Sequence, residues 1–98
     1  MVVLACASKK WHILNNVESI YFVYIIRSTF KNWNYVGFTT DVSLRLEQHD
    51  SGLVKSTKFY KPFNLIFVQI VDDRINARKL EKFLKVRFNK EALLDIIS

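Results

Sequence analysis

Arg45 and His49 stand four residues apart in the stretch YVGFTTDVSLRLEQHD, just behind a tyrosine, Tyr35, and a glycine, Gly37. On a helix that spacing puts both side chains on one face, so both can reach one phosphate group. The arginine suits a phosphate because its planar guanidinium holds two oxygens at once and keeps its charge. A histidine with an ordinary pKa of about 6.5 gives or takes a proton near neutrality. Bland roles are open to the same residues: a solvated surface arginine, and a histidine that complements the C-terminal end of a helix dipole. Farther along, in ARKLEKFLK, Glu81 is the one acid of an otherwise basic helical segment. A single carboxylate is enough for Mg2+, which keeps its waters and takes phosphate oxygens, whereas a two-metal site wants several carboxylates together. Glu81 could equally be an exposed helix acid paired with Arg78 or Lys85.

Two strands, a helix, a third strand and a second helix must position these groups. IYFVYIIRS, residues 20 to 28, is β-branched, aromatic and apolar on both faces, as a central strand covered by helices is. The polar loop TFKNWN then leads to YVGF, close enough to form a hairpin. Gly37 in that second strand lets substrate or the following helix approach the backbone closely. Thr39, Thr40 and Asp41 offer oxygens to the free N–H groups of a helix over VSLRLEQH that stops near Gly52, with Val42 and Leu46 toward the sheet. Pro62 opens FNLIFVQIV, the third strand. Asp72 and Asp73 end it and lead into a helix from Arg74 to about Phe88, with Ala77, Leu80, Phe83 and Leu84 on one stripe and Glu81 at its margin. NKEALLDIIS gives a further short helix. The order β-β-α-β-α predicts an α+β domain in which helices flank a small three-stranded antiparallel sheet. That domain covers residues 19–98, and residues 1–18, which show no sustained period, form an N-terminal extension of unknown role.

Fifteen Lys and Arg against nine Asp and Glu leave a net charge of +6 on 98 residues, which favours a polyanionic partner. A chain of this length supports one small core. Cys6 has no cysteine partner, and no Cys/His spacing resembles a zinc site, so the core must hold without staples. No apolar run approaches the roughly 20 residues that span a bilayer, and the apolar start precedes its lysines, the reverse of a signal peptide. A cytoplasmic protein without a membrane partner is expected. Lys55, Ser56, Thr57, Lys58 and Lys61 are candidates to track a nucleic-acid backbone, with Phe59 and Tyr60 available to stack on unpaired bases. The alternative is a solvated loop whose aromatic residues tuck into the core.

In order along the chain, VYI at 23 to 25, YVG at 35 to 37, FTTDVSLRLEQHDSG, KSTKFYKPFNLIF and ARKLEKFLK resemble the GIY-YIG nuclease domain, closest to its small stand-alone members. The resemblance implies a metal-dependent endonuclease that hydrolyses phosphodiester bonds in DNA, structure-selective and at work in repair or recombination. It implies Glu81 as the ligand of Mg2+, with Mn2+ an alternative, and Arg45 as the group that stabilises the transition state. Tyr24, Tyr35 and His49 would handle protons, one tyrosine acting on the attacking water. An ordinary tyrosine is only about one part in a thousand ionised at pH 7, so that role needs help from Arg45 and the metal. Which tyrosine is the base is left open, and either could be a core residue with a satisfied hydroxyl. The rival is a nucleic-acid-binding module that keeps the fold and the basic surface without hydrolysis. No residue here reads a 2′-hydroxyl, so RNA stays open beside DNA. Selectivity would come from the substrate's shape or from a targeting partner protein.

Overall fold

The computed structural model describes residues 2–5 and 20–97. Its strands are β1, Val2–Ala5, β2, Tyr21–Ser28, β3, Asn34–Thr39, and β4, Phe63–Val71, in the order β1-β4-β2-β3. β2 lies antiparallel to both β3 and β4, so the expected three-stranded antiparallel sheet forms around its most apolar strand. β1 adds a fourth strand parallel to β4, with Val2 opposite Phe67 and Ala5 opposite Ile70. The expected extension thus enters the sheet at residues 2–5; the rest of it, including Cys6, lies outside the described residues.

Alternation along β2 serves two cores. Val23 and Ile25 join Val36, Phe67 and Val71 on the face covered by Ala77 and Leu84. Tyr24 and Ile26 join Phe63 and Val68 on the other, where Leu46 packs. Each fully buried aliphatic side chain contributes about 1.5–3 kcal/mol to keeping the layers together.

Helix α1, Val42–Ser51, starts where Asp41 accepts the Leu44 N–H at 3.0 Å and ends at Gly52, whose φ of 84° is the left-handed conformation a glycine adopts without strain. Helix α2, Arg74–Lys85, is capped in the same way by Asp73, which accepts the Asn76 N–H at 2.7 Å. It ends at Lys85 and not near Phe88, because Val86 takes an extended conformation before α3, Arg87–Ile97. Phe83 is not on the buried stripe either: it is 56% exposed. At about 100° per residue Phe83 lies about 120° round the helix from Ala77, whereas Glu81 lies only about 40° from it. Helical geometry therefore turns Glu81, and not Phe83, toward the sheet.

The segment before β4 contains a single 3-10 turn, Lys58–Tyr60. Ser28 pins it to the β2–β3 loop by donating its hydroxyl to the Tyr60 carbonyl at 2.7 Å while accepting the Lys31 N–H at 3.2 Å. No helix among the described residues is long and apolar enough to cross a membrane.

Candidate active site

The register of the hairpin sets Tyr24 directly opposite Gly37. A Cβ at Gly37 would lie 2.6 Å from the Tyr24 hydroxyl oxygen and 3.0 Å from Cε2 of Tyr35. The space left by the missing side chain is thus filled by Tyr24, and not by substrate or by the following helix as the sequence suggested. With its ring over Gly37, Tyr24 places its hydroxyl 2.8 Å from Nε2 of His49. His49 is the buried residue of α1, with 0% of its surface exposed. Its ring packs against those of Tyr35, Tyr24 and Phe63 at centroid distances of 5.1, 5.8 and 5.9 Å. Its other nitrogen, Nδ1, lies 2.8 Å from Oγ1 of Thr57.

Arg45 sits one turn earlier on α1, half-buried, where it donates to Gln48 Oε1 at 2.9 Å and its guanidinium lies near enough to the Tyr24 hydroxyl to lower its pKa. Tyr35 is half-buried on β3 and stacks beside Trp33, which in turn lies flat on Tyr60 at 3.9 Å. From α2, the Lys85 ammonium stands 5.8 Å over the Tyr35 ring and 3.1 Å from Oε2 of Glu81, whose side chain is 17% exposed. Glu81 is close enough to act electrostatically on the Tyr24 hydroxyl. Four elements, β2, β3, α1 and α2, thus bring Tyr24, Tyr35, Arg45, His49 and Glu81 around one point. The Lys85 pairing named as the bland role of Glu81 is present together with that placement.

Burial pushes the Tyr24 hydroxyl up to about 12; the nearby Arg45 guanidinium pulls the other way, and Tyr35 and Glu81 add to the rise. Burial also lowers His49 to about 4, with the positive charge of Arg45 in the same direction and Asp50 opposing. Both groups are therefore neutral near pH 7. The His49 shift has a thermodynamic consequence. Between pH 6.5 and 4 the unfolded chain binds a proton at this position that the folded chain does not, so stability should fall as pH drops through that window. The loss is at most about 3 kcal/mol. Urea unfolding at pH 7 and pH 4.5 checks it: His49→Gln should flatten the part of the acid dependence that wild type shows, and an unchanged dependence in that variant would assign it elsewhere.

The basic segment divides. Lys55, Ser56, Lys58, Lys61 and Phe59 are exposed, whereas Thr57 is fully buried and cannot track a nucleic-acid backbone. Tyr60 has one face taken by Trp33, so it is not a free stacking platform. Gly37 is buried as well and acts through Tyr24. Sequence reasoning missed two contributors: Gln48, findable three residues after Arg45 on the same helix, and Trp33, which reaches the site only through the tertiary fold. Lys85 was named only as a surface partner of Glu81, and Thr57 only as a nucleic-acid backbone contact.

The donor set bears on metal binding. Among the described residues no group of three or more His, Cys, Asp or Glu could hold an ion. Glu81 offers one hard carboxylate that already attracts a cation, the Lys85 ammonium. That set fits a hard ion that completes its shell with water and phosphate oxygens, as Mg2+ does, and does not fit an ion enclosed by protein ligands.

The GIY-YIG catalytic domain matches residues 20–93, the span that carries all five of these side chains. A UPF0213 protein of Vibrio cholerae is 36% identical over 85 residues that make up 83% of each chain. One of Pectobacterium carotovorum is 41% identical over 66 residues, 66% of each chain. The solution NMR structure of a UPF0213 protein from Bacillus halodurans superposes with a TM-score of 0.51 at 31% identity, covering 79% of this chain and 84% of that one. The same α+β fold, the two half-signatures paired across one hairpin and the match over most of the chain agree: this protein belongs to the GIY-YIG catalytic domain family, a family of nuclease type.

Proposed function

We propose that the protein is a metal-dependent endonuclease that hydrolyses phosphodiester bonds in DNA, selective for substrate structure and serving repair or recombination. The observation that carries this reading is the bond between Tyr24 and a fully buried, neutral His49, with Arg45 at the same hydroxyl. Burial holds the Tyr24 hydroxyl near 12 in the metal-free protein, where it is ionised to only about one part in 10⁵ at pH 7, so the base role draws on His49: the attacking water gives its proton to the Tyr24 oxygen while the Tyr24 proton passes to His49 Nε2. The water oxygen bonds to phosphorus, the bond from phosphorus to the departing oxygen breaks, and Arg45 steadies the added negative charge. Glu81 would hold Mg2+, or Mn2+ in its place, which when bound neutralises phosphate charge. Tyr35 forms the wall between the Glu81 and His49 sides of the site. The exposed Lys55, Lys58 and Lys61 would steer the polyanion toward it.

The test uses end-labelled duplex, single-stranded and branched DNAs, with matched RNAs, incubated with the full chain in Mg2+, in Mn2+ and in chelator. Cleavage that requires the metal, with binding retained in chelator, supports the reading, and the best-cut substrate names the pathway. Binding without cleavage of any substrate under any condition would instead identify a nucleic-acid-binding module.

A further inference from the structure

Thr57 is fully buried, carries no charge and touches no exposed surface, yet its hydroxyl meets the one nitrogen of His49 that Tyr24 does not. From this geometry we infer that Thr57 is a positioning residue that fixes which nitrogen of His49 carries the proton, and so commits the Tyr24 hydroxyl hydrogen to His49. The inference rests on the proposed nuclease activity only for its kinetic consequence.

Two arrangements of hydrogens are available. In the first, His49 donates Nδ1–H to Thr57 Oγ1, the threonine hydroxyl donates to the Val54 carbonyl at 3.4 Å, and Nε2 accepts the Tyr24 hydroxyl at 2.8 Å. In the second, Thr57 donates to Nδ1 and Nε2–H donates to Tyr24. The other polar group near that hydroxyl is the Arg45 guanidinium, which cannot accept. The Tyr24 hydrogen would then have no acceptor among the described residues. Stranding a buried hydroxyl costs about 1–3 kcal/mol, more than the weakness of a long bond to Val54. The first arrangement wins. It leaves the lone pairs of the Tyr24 oxygen facing the site and its hydrogen facing His49, which is the starting state the proton relay needs. Thr57 sets this arrangement because it can accept from Nδ1 while its own hydrogen goes to a backbone carbonyl.

Long-range 1H–15N spectra of the histidine side chains in the 15N-labelled full chain at pH 7 test this, with His49 identified by the signals lost in His49→Gln. The expected result is a protonated Nδ1 and a bare Nε2 in wild type, a shift toward protonated Nε2 in Thr57→Val, and recovery in Thr57→Ser. In cleavage assays Thr57→Val should lose about 10- to 100-fold in kcat, the size of loss known for the orienting partners of metal-bound histidines. KM should be unchanged and Thr57→Ser near wild type. A bare Nδ1 in the wild-type protein overturns the inference whether or not Thr57→Val folds. So does a Thr57→Val protein with wild-type spectra and kcat. If the spectra behave as expected but wild type cuts nothing, the nuclease reading fails and the positioning role stands. If wild type cuts DNA with a bare Nδ1, the nuclease reading stands and the positioning role fails.

Discussion

Glu81→Gln should lower the cleavage rate at saturating Mg2+ by at least about 1,000-fold, which corresponds to about 4 kcal/mol of lost transition-state stabilisation. The substitution preserves shape and removes the charge. The amide would keep the carboxylate's place on α2, about 40° from the buried stripe, so packing is not disturbed. The ion pair with Lys85 is an i,i+4 pair with a half-exposed lysine, and losing it costs stability only about 0.3–0.5 kcal/mol. DNA affinity measured in chelator should not fall, because the carboxylate repels phosphate when no cation bridges them and the amide does not. Rates across a Mg2+ titration, anisotropy in chelator and thermal melts separate these effects. A variant that still cuts within tenfold of wild type would remove Glu81 from the chemistry and leave it as the partner of Lys85 alone.

Gly37→Ala should cost about 3 kcal/mol of stability and disable the site together. The new methyl carbon would sit 2.6 Å from the hydroxyl oxygen of Tyr24 and 2.8 Å from the ring carbon that bears it, distances no packed structure tolerates. Tyr24 cannot retreat easily, since its ring is 2% exposed and its hydroxyl is held by His49. Overpacking of this kind costs about 1–3 kcal/mol, and breaking the buried hydrogen bond adds about 1 kcal/mol. For a chain of this size the melting temperature should fall by more than about 10 °C. Any activity that survives below the new melting temperature should be at least about 100-fold reduced, because the hydroxyl no longer meets Nε2 of His49. A melting temperature within 2 °C of wild type, with the His49 side-chain spectrum unchanged, would show that the hairpin opens to make room and that the glycine is dispensable.

What the sequence disclosed divides by distance along the chain. The central strand was legible because YFVYIIRS is apolar in both registers, which only a strand covered on two sides allows. Helices α1 and α2 announced their starts through Asp41 and Asp73, and α1 its end through Gly52. Arg45, His49 and Glu81 were legible through helical spacing and the resemblance of their surroundings. The strand Val2–Ala5 was not, because four apolar residues acquire that role only from the open edge of β4. The break at Val86 carries no glycine or proline to mark it. Thr57 looked like one more polar residue in a basic loop, and its burial against His49 comes from the path of the whole segment between α1 and β4. Phe83 was assigned to the core by hydrophobicity alone, although its angle on the helix points away.

The complete enclosure of His49 limits what the proposed relay can do in time. One nitrogen faces Tyr24 and the other faces a threonine whose hydroxyl ends on a backbone carbonyl, so among the described residues the imidazole's hydrogen bonds lead outward only through the tyrosine. A proton stored there must leave by the route it entered. The pair therefore holds a single proton per catalytic cycle and cannot exchange it with buffer while substrate covers the tyrosine. Because the departing oxygen leaves from the side of phosphorus opposite the attacking water, the stored proton waits until product clears the tyrosine, so resetting the enzyme follows product release.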